Sequence, residues 1–161
     1  MPNDTVAEHG NAVTEGVSQI FSTMCGVQLE PTDRDPTEGE TGGMILAVIS
    51  LVGDLEWAVF LGLPRETAEA SAAKFAGFEI AFDSPDMGDA MGELTNIIVG
   101  QVKSLLDARG INVEISLPSV MRAESLEVLV QREMFQQKQC FTSSLGGLWT
   151  GVISGMMPFG G

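Results

Sequence analysis

The segment from Ser84 to Gly110 carries both the start and the stop signals of one long helix. Ser84 can cap the first turn, and Pro85 suits the first helical position, where no backbone donor is needed. Asp86 complements the positive end of the helix dipole, and Gly110 can adopt the left-handed conformation that ends a helix. An amphipathic helix of this length is stabilised mainly by packing, so the rest of the chain must cover its apolar face.

This predicted helix has an apolar side and a polar stripe opposite it. At about 100° per residue, the apolar side gathers Met87, Met91, Leu94, Ile97, Ile98, Gln101, Val102 and Leu105. The stripe contains Asp89, Glu93, Asn96, Gly100 and Lys103. It therefore offers a carboxylate and an amide three residues apart to solvent or to a partner, and a glycine one turn later would let another backbone come close.

The residues Asp89, Glu93 and Asn96, on a helix followed by a strand that ends at Pro118, resemble the signature of the CheC/CheX/FliY chemotaxis phosphatases. In that family the pattern is Asp or Ser, three residues, Glu, two residues, Asn, and then a proline some twenty residues later. Here 21 residues separate Asn96 from Pro118. The single long motif helix and the chain length indicate the CheX-like branch.

The resemblance implies a hydrolase, a phosphatase that removes the aspartyl phosphate of a CheY-like response regulator in chemotaxis or a related two-component pathway. Asn96 would orient the attacking water, and Glu93 would pair with the active-site lysine of the response regulator. Asp89, Gly100 and Pro118 would contact the partner, although Asp89 is explained equally well as a charge in the N-terminal half of a helix.

Further expectations also come from the resemblance. The phosphatase needs no metal or cofactor of its own, because the response regulator brings Mg²⁺, and the chain is expected to form a homodimer with sheets joined edge to edge. The alternative function is a non-catalytic module of the same fold that binds a response regulator or a flagellar-switch component.

A second copy of the motif occurs near the N-terminus, where residues 4–24 are predicted to form a first helix. Asp4, Glu8 and Asn11 repeat the spacing of the first three stripe residues, and in both places a glycine, a short alternating strand and a proline follow. Glu8 and Asn11 are therefore a candidate second site. We favour the interpretation that they are a relic, because a helix that starts near residue 4 tends to fray.

Each half of the chain then shows an apolar hairpin, over residues 44–63 with a turn at Gly53 and over residues 139–156 with a turn at Gly146. The sequence thus predicts one domain over residues 1–161, with an internal repeat of about 1–63 and 84–157. The predicted fold class is α+β, an antiparallel sheet packed by long helices in two pseudo-twofold-related α-β-β-β halves. A further helix is predicted over residues 64–75, between the halves.

Three strand assignments complete the prediction. Residues 111–117 alternate, which places Ile111, Val113, Ile115 and Leu117 on one buried face. Residues 119–137 fit either a strand or a helix. The hairpin at residues 44–60 fits either the centre of the sheet or an edge that pairs with a second subunit.

Composition excludes several classes of function. A formal net charge of −14 argues against nucleic acid as a partner, because phosphate neutralisation needs clustered Lys and Arg. Cys25 and Cys140 lack metal-site spacing, and His9, although next to Glu8, has no second histidine or cysteine pair to complete a metal site. The N-terminus has no signal-peptide pattern and no apolar run approaches the roughly 18 residues of a membrane span, so we expect a cytoplasmic protein.

Overall fold

The computed structural model describes residues 2–38, 42–124 and 137–154. The helices in these ranges are α1 (Pro2–His9), α2 (Asn11–Cys25), α3 (Arg65–Ala76) and α4 (Pro85–Asp107). The strands are β1 (Glu30–Thr32), β2 (Met44–Gly53), β3 (Trp57–Pro64), β4 (Val113–Ile115), β5 (Ser119–Ala123), β6 (Gln137–Thr142) and β7 (Leu148–Ser154). Among the described residues, no helix is both long enough and apolar enough to cross a membrane.

All strand pairs are antiparallel, and the order across the sheet is β1-β6-β7-β3-β2-β4. Strand β5 also pairs with β2, further along the same edge as β4. The predicted α+β fold with an antiparallel sheet and long helices is confirmed. Both predicted hairpins are present, as β2–β3 and β6–β7. The strand order is compatible with pseudo-twofold halves, which stay a prediction, as does the division into repeats.

The hairpin β2–β3 lies inside the sheet, with β7 on one side and β4 and β5 on the other. The interpretation of this hairpin as a free edge is therefore wrong, and the central position is correct. For residues 119–137, the structure shows a strand at Ser119–Ala123 and the start of β6 at Gln137. Residues 125–136 of that segment lie outside the described residues, as do residues 155 and 156 of the second hairpin.

Among the described residues, two of the three buried apolar clusters fill the space between one face of the sheet and the helices. Around α2, α3 and the first half of α4, the first of these clusters includes Phe21, Ile45, Leu63, Met91 and Leu94. Around the second half of α4, the other includes Val13, Trp57, Val59, Val102 and Leu106. Helix α4 contributes to both clusters, so its position is fixed along its whole length by apolar burial.

The predicted motif helix is present, but its first turn is not capped as expected. The Ser84 hydroxyl donates a hydrogen bond to the carbonyl oxygen of Ala81 at 2.7 Å, and no side-chain cap forms. Serine hydroxyls often bond to a carbonyl a few residues back, in competition with capping. At the other end, helical residues end at Asp107, and Gly110 has the expected left-handed conformation, with φ +79°.

The predicted first helix is two helices that meet at Gly10. A Cβ atom at Gly10 would meet the side-chain amide of Gln137 on β6 and would lie 2.5 Å from the carbonyl oxygen of Val6, so the backbone leaves no room for a side chain there. Glycine is also the weakest helix former after proline. The prediction of one continuous helix over residues 4–24 is therefore wrong at this position.

The predicted strand at residues 111–117 is also interrupted. The register pairs two positions across the junction between β4 and β5: Ile115 with Leu51, and Ser119 with Val48. Residues 116–118 therefore lie opposite residues 49–50, and one extra residue forms a β-bulge. Leu117 is in this bulge and is 86% exposed, so the prediction that it shares the buried face of Val113 is wrong.

Candidate functional site

Three polar residues of the stripe lie on the exposed side of α4. Asp89, Glu93 and Asn96 are all exposed, and their spacings of four and three residues place them on one face. Thr95, next to Asn96 in the chain, is buried, and its hydroxyl donates a hydrogen bond to the carbonyl oxygen of Met91 at 2.6 Å. The predicted division of α4 into a buried side and a polar stripe is thus the observed one around these residues.

Helix α4 is held at its N-terminal end by an arginine from β5. Nη1 of Arg122 donates hydrogen bonds to the carbonyl oxygens of Phe82 and Ser84, at 3.1 and 3.0 Å. Both acceptors lie just before the helix begins. A charged donor that bridges two carbonyl groups fixes the entry of the chain into α4.

The C-terminal half of α4 is fixed on two further sides. Nζ of Lys103 donates a hydrogen bond to the carbonyl oxygen of Val113 at 2.6 Å, which ties the helix to β4. Nε2 of Gln101 donates to Oε1 of Gln19 on α2 at 2.6 Å. Gln101, predicted on the apolar side, is thus half-buried and serves a helix-to-helix hydrogen bond.

Helices α2 and α4 approach each other closely at Gly16. A Cβ atom at Gly16 would lie 2.8 Å from Cγ2 of Val102 and 3.3 Å from its backbone nitrogen. The side of α4 opposite the stripe is therefore closely packed against α2. Since the helix is fixed at both ends and along its back, the stripe is presented on a rigid support, which a site that positions a reactant requires.

The side chains of Glu93 and Asn96 are not engaged within the part of the chain that the structure describes. Neither forms a hydrogen bond or an ion pair there, and Asp89 forms none either. A carboxylate and an amide with no internal partner remain fully available to a second molecule. This availability separates them from most of the other polar side chains of α4.

Pro118 lies close to the stripe, as expected from the motif. A Cβ atom at Gly92 would be 3.9 Å from Cγ of Pro118 and 3.7 Å from Cγ2 of Val120. Around the helix, Gly92 lies nearer to Asn96, which follows it by about one turn, than to Glu93, which directly follows it. Pro118 therefore borders the side of the stripe that carries the Asn96 amide. Gly100 has open space around it, because a Cβ atom there would meet nothing within 4 Å.

The sequence pattern does not correctly place two residues that lie next to Pro118, namely Gly92 and Leu117. Gly92 was not singled out, although its position four residues before Asn96 places it on the same face. Leu117 was assigned to the buried face, although a proline directly after it is a signal for a strand irregularity. Gly92 lies on the side of α4 that faces Pro118 and Val120.

The first copy of the motif has different surroundings. Glu8 is exposed at the end of α1, where its Oε2 lies 3.3 Å from Nε2 of His9. Oδ1 of Asn11 accepts a hydrogen bond from Nη1 of Arg109 at 2.9 Å, and Nη2 of Arg109 lies 3.7 Å from Oε2 of Glu15. Glu8 and Asn11 thus lie on two different helices, and the amide of Asn11 already has a partner.

The described ranges offer neither a candidate metal site nor a reactive thiol beside the stripe. They contain no group of three or more His, Cys, Asp or Glu residues that could hold a metal ion. Cys25 and Cys140 are both buried and unbridged. Burial raises the pKa of the Cys25 thiol to about 11, against a smaller opposing effect of Lys74, so this thiol is a poor nucleophile at neutral pH.

Comparison with known proteins identifies one family. The family model described as chemotaxis phosphatase CheX matches residues 45–142, a range that includes α4, its stripe and Pro118. Comparison with curated protein sequences gives no match.

Several solved structures have the same fold. The chemotaxis protein CheX from Desulfovibrio desulfuricans is 20% identical over 92% of this chain and 99% of its own, with a TM-score of 0.72. CheX from Vibrio vulnificus is 18% identical over 92% and 99%, with a TM-score of 0.75. A chain of the CheX–CheY–BeF₃–Mg²⁺ complex from Borrelia burgdorferi is 16% identical over 92% and 98%, with a TM-score of 0.68.

Proposed function

Because this chain belongs to the chemotaxis phosphatase CheX family, we propose that it hydrolyses the aspartyl phosphate of a CheY-like response regulator. The partner is suggested by the Borrelia burgdorferi relative, whose solved complex contains CheY together with BeF₃ and Mg²⁺. The observation that carries the proposal is that Asn96 is an exposed amide, unpaired in the described chain, on a helix fixed at both ends.

Hydrolysis of an aspartyl phosphate needs a water placed in line with the phosphorus. The water oxygen forms a bond to phosphorus while the bond from phosphorus to the aspartyl oxygen breaks. The products are inorganic phosphate and the free carboxylate, and the protons of the water stay with phosphate and solvent. An amide can hold this water through one donor and one acceptor, as a glutamine does in GTPases, so we assign this positioning to Asn96.

Glu93 has a different role in this proposal. Its carboxylate pairs with the active-site lysine of the response regulator, and this contact sets the position of α4 over the phosphoryl group. Asp89 lies one turn before Glu93 and extends the acidic contact surface. Gly100 lets the partner backbone approach α4, and Pro118 supports the opposite border at Gly92.

The Mg²⁺ of the reaction is assigned to the partner. In phosphoryl transfer the metal neutralises charge on the phosphoryl oxygens, so it must bind beside the phosphorylated aspartate. The chain would then supply only the amide and the docking carboxylate. The Mg²⁺ in the complex of the Borrelia burgdorferi relative with CheY supports this division.

Replacing Asn96 with alanine tests the proposal. We expect Asn96→Ala to slow the decay of a phosphorylated CheY-type response regulator from the same organism, relative to the native protein, by on the order of 100-fold. The free energy of unfolding should stay within about 0.5 kcal/mol of native, because the side chain is exposed. Asn112→Ala, which truncates an exposed asparagine after α4, is the matched control and should keep native activity.

The same assay separates the two functions suggested by the sequence. Undiminished activity of Asn96→Ala would remove this residue from the mechanism. A native protein that binds the activated response regulator without accelerating its dephosphorylation would instead support the non-catalytic binding module.

A further inference from the structure

The first two turns of α4, residues 85–92, are poorly stabilised by their own sequence, and we call them the helix start. Gly88 and Gly92 both lie there, and glycine is the weakest helix former after proline. No side-chain cap offsets this weakness, because the Ser84 hydroxyl bonds elsewhere. Asp89 lies within the helix start and Glu93 directly follows it. The side chains assigned to partner contact are therefore carried by a weak part of the helix.

Packing among the described residues does not explain these two glycines. A Cβ atom at Gly88 would meet nothing within 4 Å, so an alanine fits there. A Cβ atom at Gly92 would lie 3.7 Å from Cγ2 of Val120, which is an ordinary contact distance. Neither position needs a glycine for a close approach inside the described chain. Contacts from outside the helix therefore have to hold the helix start in place.

Arg122 supplies such a contact from the sheet. In the register of β2 with β5 it pairs with Ile45, which is buried under the helices. Directly opposed side chains share one face of a sheet, so the arginine extends from β5 toward the helix layer. There Nη1 donates to the carbonyl oxygens of Phe82 and Ser84, at 3.1 and 3.0 Å. Ser84 directly precedes α4, so these two charge-assisted bonds connect the helix start to β5.

Phe82 and Arg122 fix different properties of this connection. The Phe82 side chain is 1% exposed, so its burial fixes where the segment before α4 lies. A buried ring does not orient the carbonyl groups that follow it, whereas the two bonds from Arg122 do. Arg65 also pairs with Asp83 at 3.8 Å, but both side chains are largely exposed and such a pair contributes little. Arg122 thus sets the direction in which the chain enters α4.

We propose that Arg122 is a positioning residue for docking of the phosphorylated response regulator. It keeps the helix start folded, so that Asp89 and Glu93 are correctly placed before the partner arrives. This inference rests on the proposed function, because the partner is the same molecule. A helix start that is folded only part of the time raises the apparent Kd by the inverse of the folded fraction. The value of kcat does not change, because Asn96 lies beyond the helix start and the bound complex is folded.

A set of four variants tests this assignment. Arg122→Met removes the donors and keeps an apolar stem. Gly88→Ala strengthens the helix start by a different route, and it is made alone and together with Arg122→Met. Arg34→Met is the matched control. It removes the same charge from an exposed arginine that follows β1, at the opposite edge of the sheet from β5.

Three measurements are made on each variant. Amide hydrogen exchange is followed at residues 89–93, whose helical hydrogen bonds end on carbonyl groups of the helix start, with residues 98–106 as the internal reference. Calorimetry gives the Kd for the CheY-type response regulator of the same organism, activated with beryllofluoride and Mg²⁺. The decay of the phosphorylated response regulator gives KM and kcat.

We expect Arg122→Met to remove most of the exchange protection at residues 89–93 and leave that of residues 98–106 unchanged. Kd and KM should rise about fivefold, as for a helix start folded about one fifth of the time, with kcat within about twofold of native. Gly88→Ala changes the helix equilibrium about fivefold, so in the double variant it should return Kd to within about twofold of native. Gly88→Ala alone and Arg34→Met should bind as the native protein does.

The same measurements can overturn the assignment. Native exchange at residues 89–93 in Arg122→Met would do so, as would an equal loss of protection at residues 98–106, which indicates a general loss of stability. A raised Kd that Gly88→Ala does not lower would show that Arg122 contacts the partner directly. If the native protein binds but does not accelerate dephosphorylation, the proposed function fails, and the exchange and Kd values still decide the role of Arg122.

Discussion

Replacing Gly100 with alanine should raise the stability of the protein and weaken its activity at the same time. Gly100 lies inside α4, one turn after Asn96, and a Cβ atom there would meet nothing within 4 Å. Glycine inside a helix is about 1 kcal/mol less favourable than alanine. Gly100→Ala should therefore raise the free energy of unfolding by about 0.5–1 kcal/mol and Tm by about 1–4 °C.

The same methyl group projects from the face that carries Glu93 and Asn96. If the partner backbone packs directly against Gly100, the added methyl group overpacks the contact, which typically costs about 1–3 kcal/mol. A cost of about 1.4 kcal/mol corresponds to a tenfold rise in KM. We expect this rise with little change in kcat, because the water held by Asn96 is not touched.

Two measurements on Gly100→Ala and its control Gly16→Ala test whether the partner backbone approaches Gly100 closely. Denaturant unfolding gives the free energy of unfolding, and the decay of the phosphorylated response regulator at several concentrations gives KM and kcat. Gly16→Ala is the control, because its Cβ atom would lie 2.8 Å from Cγ2 of Val102 and should lower the free energy of unfolding by about 1–3 kcal/mol. A Gly100→Ala protein that is more stable but has native KM would refute the close approach of the partner.

Two further predictions concern the acidic contact and the first copy of the motif. Glu93→Ala should raise the Kd for the activated response regulator and reduce the dependence of this Kd on salt. The control Glu114→Ala, which lies on the other face of the sheet, should change neither. Equal behaviour of the two variants would count against the lysine contact. If the first copy is a relic, the Asn11→Ala, Asn96→Ala double variant should be no less active than Asn96→Ala in the same decay assay. Residual activity that disappears only in the double variant would show a second working site.

The features predicted correctly from the sequence depend on local signals. Helix α4 and its stripe follow from start and stop residues and from a period of about 3.6, all within one segment. Both hairpins follow from apolar runs around turns that contain Gly53 and Gly146. The exposure of Glu93 and Asn96 follows from the same period, because the buried side of α4 leaves only one face free.

Two of the wrongly predicted features, at Leu117 and Gly10, involve contacts between distant parts of the chain, whereas the third, at Ser84, is local. The alternation through Leu117 fails because β5 pairs with β2 one residue out of register with β4, and no residue within the strand fixes that register. Gly10, where α1 and α2 meet, contacts the side chain of Gln137, which is far away in the sequence. The Ser84 hydroxyl can either accept a hydrogen bond from a backbone N–H of the first helical turn or donate one to a nearby carbonyl oxygen. Spacing alone does not decide between these two partners.

The two asparagines show that equal spacing does not imply equal surroundings. Asn11 and Asn96 follow a glutamate at the same distance, yet only Asn96 has an amide without a partner in the described chain. The donor to Asn11 is Arg109, which lies just beyond the end of α4. The first copy thus helps to anchor the helix that presents the second, and freeing its amide for a water would remove part of that anchor. A gain of function at Asn11 would therefore be opposed by a loss of rigidity at Asn96, which is a physical reason to expect a single working site.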